Sequence, residues 1–200
     1  MSKLIKKGPR GYEMLQASDS LYSNRIVFLE GDINAENASE VVHDLWALDA
    51  ESNEPIWLVI KSNGGSVMDG LTIYDTVKTM SSPVNTLVHY AYSMGAIVAL
   101  AAAPENRYIT EHGKYMLHDS SYGNADFSHM KPCELEEKTN DLLETTLILR
   151  KIVSEATGKS MEEVKEIMEK DSFFDSNKSI EFGLCTKKLT NLSLLLKKGV

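Results

Sequence analysis

Apolar residues recur along the chain at two spacings, one typical of buried strands and the other of amphipathic helices. Short apolar runs, "RIVFLEG" (25–31), "PIWLVIKS" (55–62) and "VNTLVHY" (84–90), predict three strands. Each run precedes a segment with helical spacing, such as "NASEVVHDLWALDAES" after the first. Strands that alternate with helices favour a mostly parallel sheet with right-handed crossovers, so the pattern predicts an α/β fold.

Beyond the third strand, the pattern predicts two further short strands, "RYIT" and "KYMLH", and a loop-like stretch over 119–132. A long helix is expected after Pro132, ending near Thr157, because a glycine follows there. Ser160 and Glu163 have the spacing of a capping box, which predicts one more helix.

Length and composition indicate a single core. The 200 residues are 42% hydrophobic, which is enough for one domain over 1–200 and too little for two. The net charge of −8 argues against a general nucleic-acid binder, because phosphate contacts need a basic surface. No segment has the pattern of a signal peptide or a membrane span, and Cys133 and Cys185 have no metal-ligand spacing. A cytoplasmic protein with reduced cysteines is therefore expected.

The two ends differ in composition from the middle of the chain. Residues 1–15 carry a cluster of basic residues, and residues 190–200 are apolar and then basic. We expect a flexible N-terminal arm and a loosely ordered C-terminal tail.

Two strand-to-helix junctions are candidates for chemistry, since sites in parallel α/β folds gather at the carboxyl ends of strands. At the first, Gly64 and Gly65 leave the backbone N–H groups open to a ligand. At the second, Ser93 precedes Met94 and Gly95 in "YSMGA". Ser93 has two possible roles there, because a serine at this place is either a nucleophile on a sharp turn or the N-cap of a helix.

A nucleophilic serine needs a base and a group that orients the base. Among the five histidines, position favours His89 and His118, which end the strands "VNTLVHY" and "KYMLH". The orienting carboxylate has three candidates between which position does not decide: Asp119, Asp171 and Asp175.

Four segments in sequence order, "SNGGSVMDGLTIYDTV", "YSMGA", "YMLH" and "EKDSFF…SIEFGL", resemble the Clp protease proteolytic subunit family. The resemblance covers about residues 11–190. It implies the α/β fold of that family, which is related to the crotonases and has repeated ββα units with a protruding handle helix, here the handle region 119–157.

The resemblance also implies the site. Ser93 matches the family nucleophile, His118 the base, and Asp171 the aspartate that orients the base. Backbone N–H groups of Gly65 and Met94 match the oxyanion hole. No cofactor and no metal are implied.

The family forms two stacked heptameric rings, a tetradecamer that encloses its substrates. By resemblance, this chain is a serine endopeptidase that hydrolyses unfolded polypeptides. The substrates would be delivered by a separate AAA+ unfoldase such as ClpX, ClpA or ClpC. No nucleic-acid or membrane partner is expected.

The chain departs from the family pattern in several places. Asn63 replaces the usual proline before the glycine pair. The approach to the nucleophile, "HYAYS", is one residue shorter than in the family, with Tyr92 in place of a small residue. The sequence therefore does not determine the shape of the substrate pocket. The handle region is about four residues longer. Trp57 and Val59 occupy the positions at which the family receives a hydrophobic loop of the unfoldase.

Two other functions fit the same resemblance. One is a phage-type capsid maturation protease with the same triad, and the other is a non-catalytic ring subunit. Retention of Ser93, His118 and Asp171 argues against the second. An acyl-CoA enzyme of the crotonase type would share the glycine loop without needing this set of side chains.

Overall fold

The computed structural model describes residues 3–8, 11–123 and 126–196. The N-terminal segment forms an antiparallel hairpin of β1 (Lys3–Gly8) and β2 (Gly11–Gln16). The structure thus has paired strands over most of the segment for which the sequence predicts a flexible arm. Residues 1, 2, 9 and 10 of that arm, and residues 197–200 of the predicted tail, lie outside the described residues.

The main sheet has six strands in the order β3-β4-β5-β6-β7, with β8 paired to β6. Strands β3 to β6 are parallel to one another, β7 is antiparallel to β6, and β8 is parallel to β6. This arrangement confirms the predicted α/β fold with a mostly parallel sheet. The strands are β3 (Ile26–Ile33), β4 (Ile56–Gly65), β5 (Val84–Tyr92), β6 (Arg107–Leu117), β7 (Ser172–Asp175) and β8 (Lys187–Lys188).

Each long parallel pairing is interrupted by a register shift: at Glu30/Asp32 on β3, Ile60/Lys61 on β4 and Val88/Tyr90 on β5. Each unit is therefore two strand segments followed by a helix, which is the ββα repeat that the resemblance implies.

The prediction of two separate strands, "RYIT" and "KYMLH", is wrong. They form one strand, β6, because the register shift absorbs the residues between them: Val88 pairs with Ile109, whereas Tyr90 already pairs with Lys114.

Helices cover the sheet, and their ends have identifiable caps. Asn34 caps α2 and Ser66 caps α3 through their side-chain oxygens. Ser160 and Glu163 form the predicted capping box, and a left-handed Gly158 ends the long helix at Thr157, as predicted. The helices are α1 (Ala17–Tyr22), α2 (Ala35–Glu51), α3 (Val67–Thr79), α4 (Met94–Ala99), α5 (Pro132–Thr157), α6 (Met161–Met168) and α7 (Ser176–Phe182), with short 3-10 turns at Pro104–Asn106 and Leu192–Leu194.

The core lies on the helix-covered face of the sheet, and α4 is at its centre. Every residue of α4 is buried, and three of them are glycine or alanine, which lets the helix lie close to β4, β5 and α3. This close packing fixes the start of α4, where Ser93 lies.

A second apolar cluster lies on the opposite face, since strand side chains alternate between faces. Trp57 and Val59 of β4 belong to this cluster, whereas Leu58 and Ile60 of the same strand point into the main core. We call it the outer patch: Ile26, Trp57, Val59 and Leu87, on which Leu195 of the C-terminal tail packs together with Leu21, Tyr108 and Leu189.

Both cysteines are free, with Cys133 exposed and Cys185 buried. Within the described ranges, no helix combines the length and the apolar character that a membrane crossing requires.

Candidate active site

Ser93 lies between β5 and α4 in a conformation that non-glycine residues rarely adopt. Its φ is 52° and its ψ is −124°, and its N–H donates to the Met116 carbonyl at 2.9 Å. Although Ser93 occupies the N-cap position of α4, its side chain makes no capping hydrogen bond. The turn instead presents the hydroxyl toward the end of β6.

The glycine pair allows two close backbone approaches. A Cβ at Gly64 would lie 2.7 Å from the Ser93 Cβ and 2.8 Å from the Tyr92 carbonyl oxygen. A Cβ at Gly65 would lie 2.3 Å from the Ile33 carbonyl oxygen. Both glycines have positive φ, 99° and 141°, which also favours glycine. The first glycine therefore supports the Ser93 turn, and the second fits the loop against β3.

His118 immediately follows β6 and reaches both predicted partners. Its Nε2 lies 2.7 Å from Ser93 Oγ, and its Nδ1 lies 3.0 Å from Asp171 Oδ1. In the tautomer with a proton on Nδ1, His118 donates to the Asp171 carboxylate and accepts from the Ser93 hydroxyl. The arrangement can thus remove the proton from Ser93 and stabilise the imidazolium that forms.

The other candidate base is placed elsewhere. His89 is exposed at the register shift of β5, and among the described residues only His118 hydrogen bonds to the Ser93 hydroxyl.

The three candidate carboxylates have different partners. Asp171 precedes β7 and contacts His118, although 66% of its side chain is exposed. Asp175 caps α7 by accepting from the Lys178 N–H at 2.9 Å, and this hydrogen bond lowers the pKa of Asp175. Asp119 pairs with Arg150 of α5. Geometry therefore selects Asp171 as the partner of His118.

A cavity of about 320 Å³ opens beside Ser93 and His118. The two positions predicted to supply oxyanion donors, Gly65 and Met94, both line it. Much of the remaining wall is apolar and is formed by Val67, Ile97, Leu117 and Leu149.

Tyr92, the aromatic residue that departs from the family pattern, packs away from this cavity. Its ring lies 5.5 Å from Tyr90 and 5.9 Å from Phe173, the latter edge-on. Tyr92, Met116 and Phe173 form one row across β5, β6 and β7. The residue therefore connects the strand before Ser93 to the strand after Asp171 and leaves the cavity wall free of an added aromatic ring.

Sequence reasoning missed the pairing of Asp119 with Arg150. A signal was present, because Arg150 follows Leu149 and lies between Thr146 and Val153, which belong to the buried face of α5. An arginine on a buried face indicates a carboxylate partner, since an unpaired buried charge is costly.

Comparison with known proteins gives long matches. A family model described as Clp protease matches residues 9–191. ATP-dependent Clp protease proteolytic subunit 1 of Chlamydia muridarum is 34% identical over 182 residues, which cover 88% of this chain and 94% of the relative. The protein of the same name from Protochlamydia amoebophila is 32% identical, covering 86% and 84%. The ATP-dependent Clp protease proteolytic subunit of Streptococcus pneumoniae is 31% identical, covering 96% and 97%.

Proposed function

The chain belongs to the Clp protease family, and from this membership we propose that it is a proteolytic subunit that cleaves peptide bonds with Ser93, His118 and Asp171. The observation that carries the proposal is the hydrogen-bonded series from Ser93 Oγ through the His118 ring to Asp171 Oδ1, at 2.7 Å and 3.0 Å. Three side chains from separate segments meet in the order that acyl transfer requires.

In the proposed reaction, Ser93 Oγ bonds to the carbonyl carbon of the scissile peptide while its proton moves to His118 Nε2. The carbonyl oxygen gains the electron pair of the opened double bond and accepts hydrogen bonds from the N–H groups of Gly65 and Met94. The amine then leaves with the proton from His118, and an ester remains on Ser93. Water, activated by His118, releases the acid product. One oxyanion donor contributes roughly 2.7 to 4 kcal/mol to the transition state.

The apolar wall of the cavity supports a preference for an apolar side chain next to the scissile bond. Ile97, Leu117 and Leu149 are each at most 4% exposed in the structure and carry no charge, and the carboxylate of Asp119, which also lines the cavity, is already paired with Arg150. A charged substrate side chain would lose its hydration there without compensation.

The assembly belongs to the same proposal: stacked rings that receive unfolded polypeptides from an ATP-driven unfoldase. Exposed apolar side chains along α5 support contacts between copies, because such a set favours association over solvation. They are Leu135, Leu143, Leu147 and Ile148.

Labelling with a fluorophosphonate probe tests the nucleophile. The probe should modify the assembled protein at Ser93, and Ser93→Ala should lose both the label and, by about a thousandfold or more, the hydrolysis of short peptides. Ser39→Ala, which removes an exposed hydroxyl from α2, is the matched control and should retain both activities. Equal labelling of Ser93→Ala would overturn the proposal.

Two further measurements separate the roles within the family. Faster degradation of a folded protein when an AAA+ unfoldase and ATP are added supports the proteolytic-subunit role. Cleavage restricted to a capsid scaffold protein would indicate maturation instead. Particle mass tests the rings, since a monomer under all conditions contradicts a closed chamber.

A further inference from the structure

Arg150 and Asp119 form a two-point ion pair beside the candidate active site. Arg150 Nε donates to Asp119 Oδ1 at 2.8 Å, and a second guanidinium nitrogen donates to Oδ2. The side chains are only 11% and 25% exposed. The hydrogen bond that Arg150 donates to Asp119 is also the main cause of a raised pKa of Arg150. A bidentate pair with little exposure fixes geometry far better than an exposed ion pair does.

The pair acts on the chain immediately after His118, because Asp119 is the next residue. The Asp119 N–H also donates to the Met168 carbonyl at 2.7 Å, which fastens the same residue to the end of α6. Ser120 Oγ lies 2.6 Å from Thr146 Oγ1 on α5. The end of β6 is thus attached to α5 and α6 within two residues of the imidazole.

His118 needs such an attachment, because its partner Asp171 is weakly shielded. With 66% of the Asp171 side chain exposed, water competes for the carboxylate, and the hydrogen bond to His118 alone holds the ring loosely. A displacement of about 1 Å at a catalytic group can cost roughly 100-fold in rate.

We propose that Asp119 and Arg150 are a positioning pair that couples α5 to the orientation of His118 in the peptidase reaction. The inference rests on the proposed function. The pair also balances charge: among the described residues, the charged groups that hydrogen bonds and chain connection place beside His118 are Asp171, Asp119 and Arg150, with Glu169 acting on Arg150 from the end of α6. While paired, Asp119 and Arg150 add almost no net charge beside the imidazole.

The charge balance gives opposite expectations for the two halves of the pair. Asp119→Asn and Arg150→Gln should each lower kcat about 10-fold or more, with a smaller change in KM. Arg150→Gln leaves a carboxylate unpaired, which favours the imidazolium, so the acidic limb of kcat/KM should move to higher pH by roughly 0.5 units. Asp119→Asn leaves a guanidinium unpaired, so the limb should move to lower pH by a similar amount. The double variant should return the limb to the wild-type position with kcat still low.

Matched controls separate positioning from general damage. Lys151→Gln removes an exposed ion pair with Glu155 from the same helix and should leave kcat and the pH profile unchanged. Arg150→Lys keeps the charge but loses the two-point geometry, so it should keep the pH profile while kcat falls. If Arg150→Gln fails to fold, Arg150→Lys and Asp119→Asn still test the inference. Circular dichroism and particle mass confirm folding and assembly of each variant.

The results that overturn the inference differ from those that overturn the function. Turnover by wild type that does not depend on Ser93 rejects the proposed function. Ser93-dependent turnover with kcat within about twofold of wild type in both single variants rejects the positioning pair. Shifts of the acidic limb in the same direction for both single variants also reject the positioning pair, because the effect of structural damage does not depend on the sign of the charge that is removed.

Discussion

Gly64 shows how one missing side chain shapes the site. The Ser93 turn occupies the space in which a Cβ at position 64 would lie, with three of its atoms 3.0 Å or less from that point. The sequence predicted that the glycine pair leaves its backbone N–H groups open to a ligand. It did not indicate that the Ser93 turn packs directly against Gly64, because that contact joins residues far apart in the sequence.

Replacing Gly64 with alanine should displace Ser93. We expect Gly64→Ala to lower peptide hydrolysis by roughly 100-fold, because the new methyl group forces the turn away from His118. Gly31→Ala is the matched control, since Gly31 also has positive φ but open space around its Cβ. The control should lose about 1 kcal/mol of stability and retain activity. Equal activity losses in the two variants would show that backbone conformation, and not the clash, is responsible.

At the scale of single residues, the sequence predicted the candidate nucleophile but left its partners open. The sequence predicted that both His89 and His118 end strands, which is wrong for His89: it lies within β5 at the register shift and is exposed, whereas His118 follows β6 directly. The carboxylates were equally undecided by position. Resemblance to the family selected His118 and Asp171; in the structure His118 Nδ1 lies 3.0 Å from Asp171 Oδ1, and His118 Nε2 lies 2.7 Å from Ser93 Oγ.

Among the elements, the C-terminal tail packs on the sheet through a side chain, while its backbone bonds are local. Beyond Leu189, the backbone bonds of Leu194, Leu195 and Leu196 remain within the tail. Leu195 nevertheless fills the outer patch and is 6% exposed. Leu195, together with Leu21, Tyr108 and Leu189, therefore packs on the cluster that contains Trp57 and Val59, the positions at which the family resemblance implies docking of an unfoldase loop.

A charge at Leu195 should release the tail. Leu195→Asp would bury a carboxylate against Trp57, so the tail should detach and the Trp57 emission should shift to longer wavelength. Leu194→Asp places the same charge on an exposed neighbour, 55% exposed, and should cause no shift. Both variants are best measured in a Trp46→Phe background, because Trp46 is already 57% exposed and would mask the signal. An unchanged spectrum for Leu195→Asp would mean that the tail is held by other contacts.

The elements themselves differ in how far the sequence determined them. The long helix α5 and its end at Thr157 follow from local signals, a proline at the start and a glycine after the end. The joining of two predicted strands into β6 does not, because a bulge is set by the neighbouring strand. The packing of the tail on the outer patch does not follow from local signals either. It depends on side chains of strands β3, β4 and β5, which are far from the tail in the sequence.

For the molecule as a whole, a buried thiol and a buried phenol that stay protonated in the folded chain limit its stability at high pH. Burial raises the pKa of the Cys185 thiol from 9.0 to about 12, and burial raises the pKa of Tyr115 well above its ordinary value. The unfolded chain releases these protons at lower pH than the folded chain does. Stability from these groups is complete below about pH 9 and is lost as the pH rises toward about 12.

Urea unfolding at about pH 8 and about pH 10 measures this loss. We expect a lower free energy of unfolding at the higher pH, and a smaller difference in Cys185→Ala, which lacks the buried thiol. Cys133→Ala removes an exposed thiol and should show the wild-type difference. A pH dependence that is the same in all three proteins would assign the effect to other groups, Tyr115 among them.

The backbone conformation of Ser93 affects which residue evolution would retain at this position. Glycine would fit φ 52° and ψ −124° better than serine does, and residues held in such conformations typically cost about 1–3 kcal/mol. Stability alone would favour glycine at this position if the hydroxyl had no use. A lineage released from selection for proteolysis would therefore gain stability by losing its nucleophile. Under the proposed function, selection for proteolysis would have to retain serine at position 93 against this gain in stability.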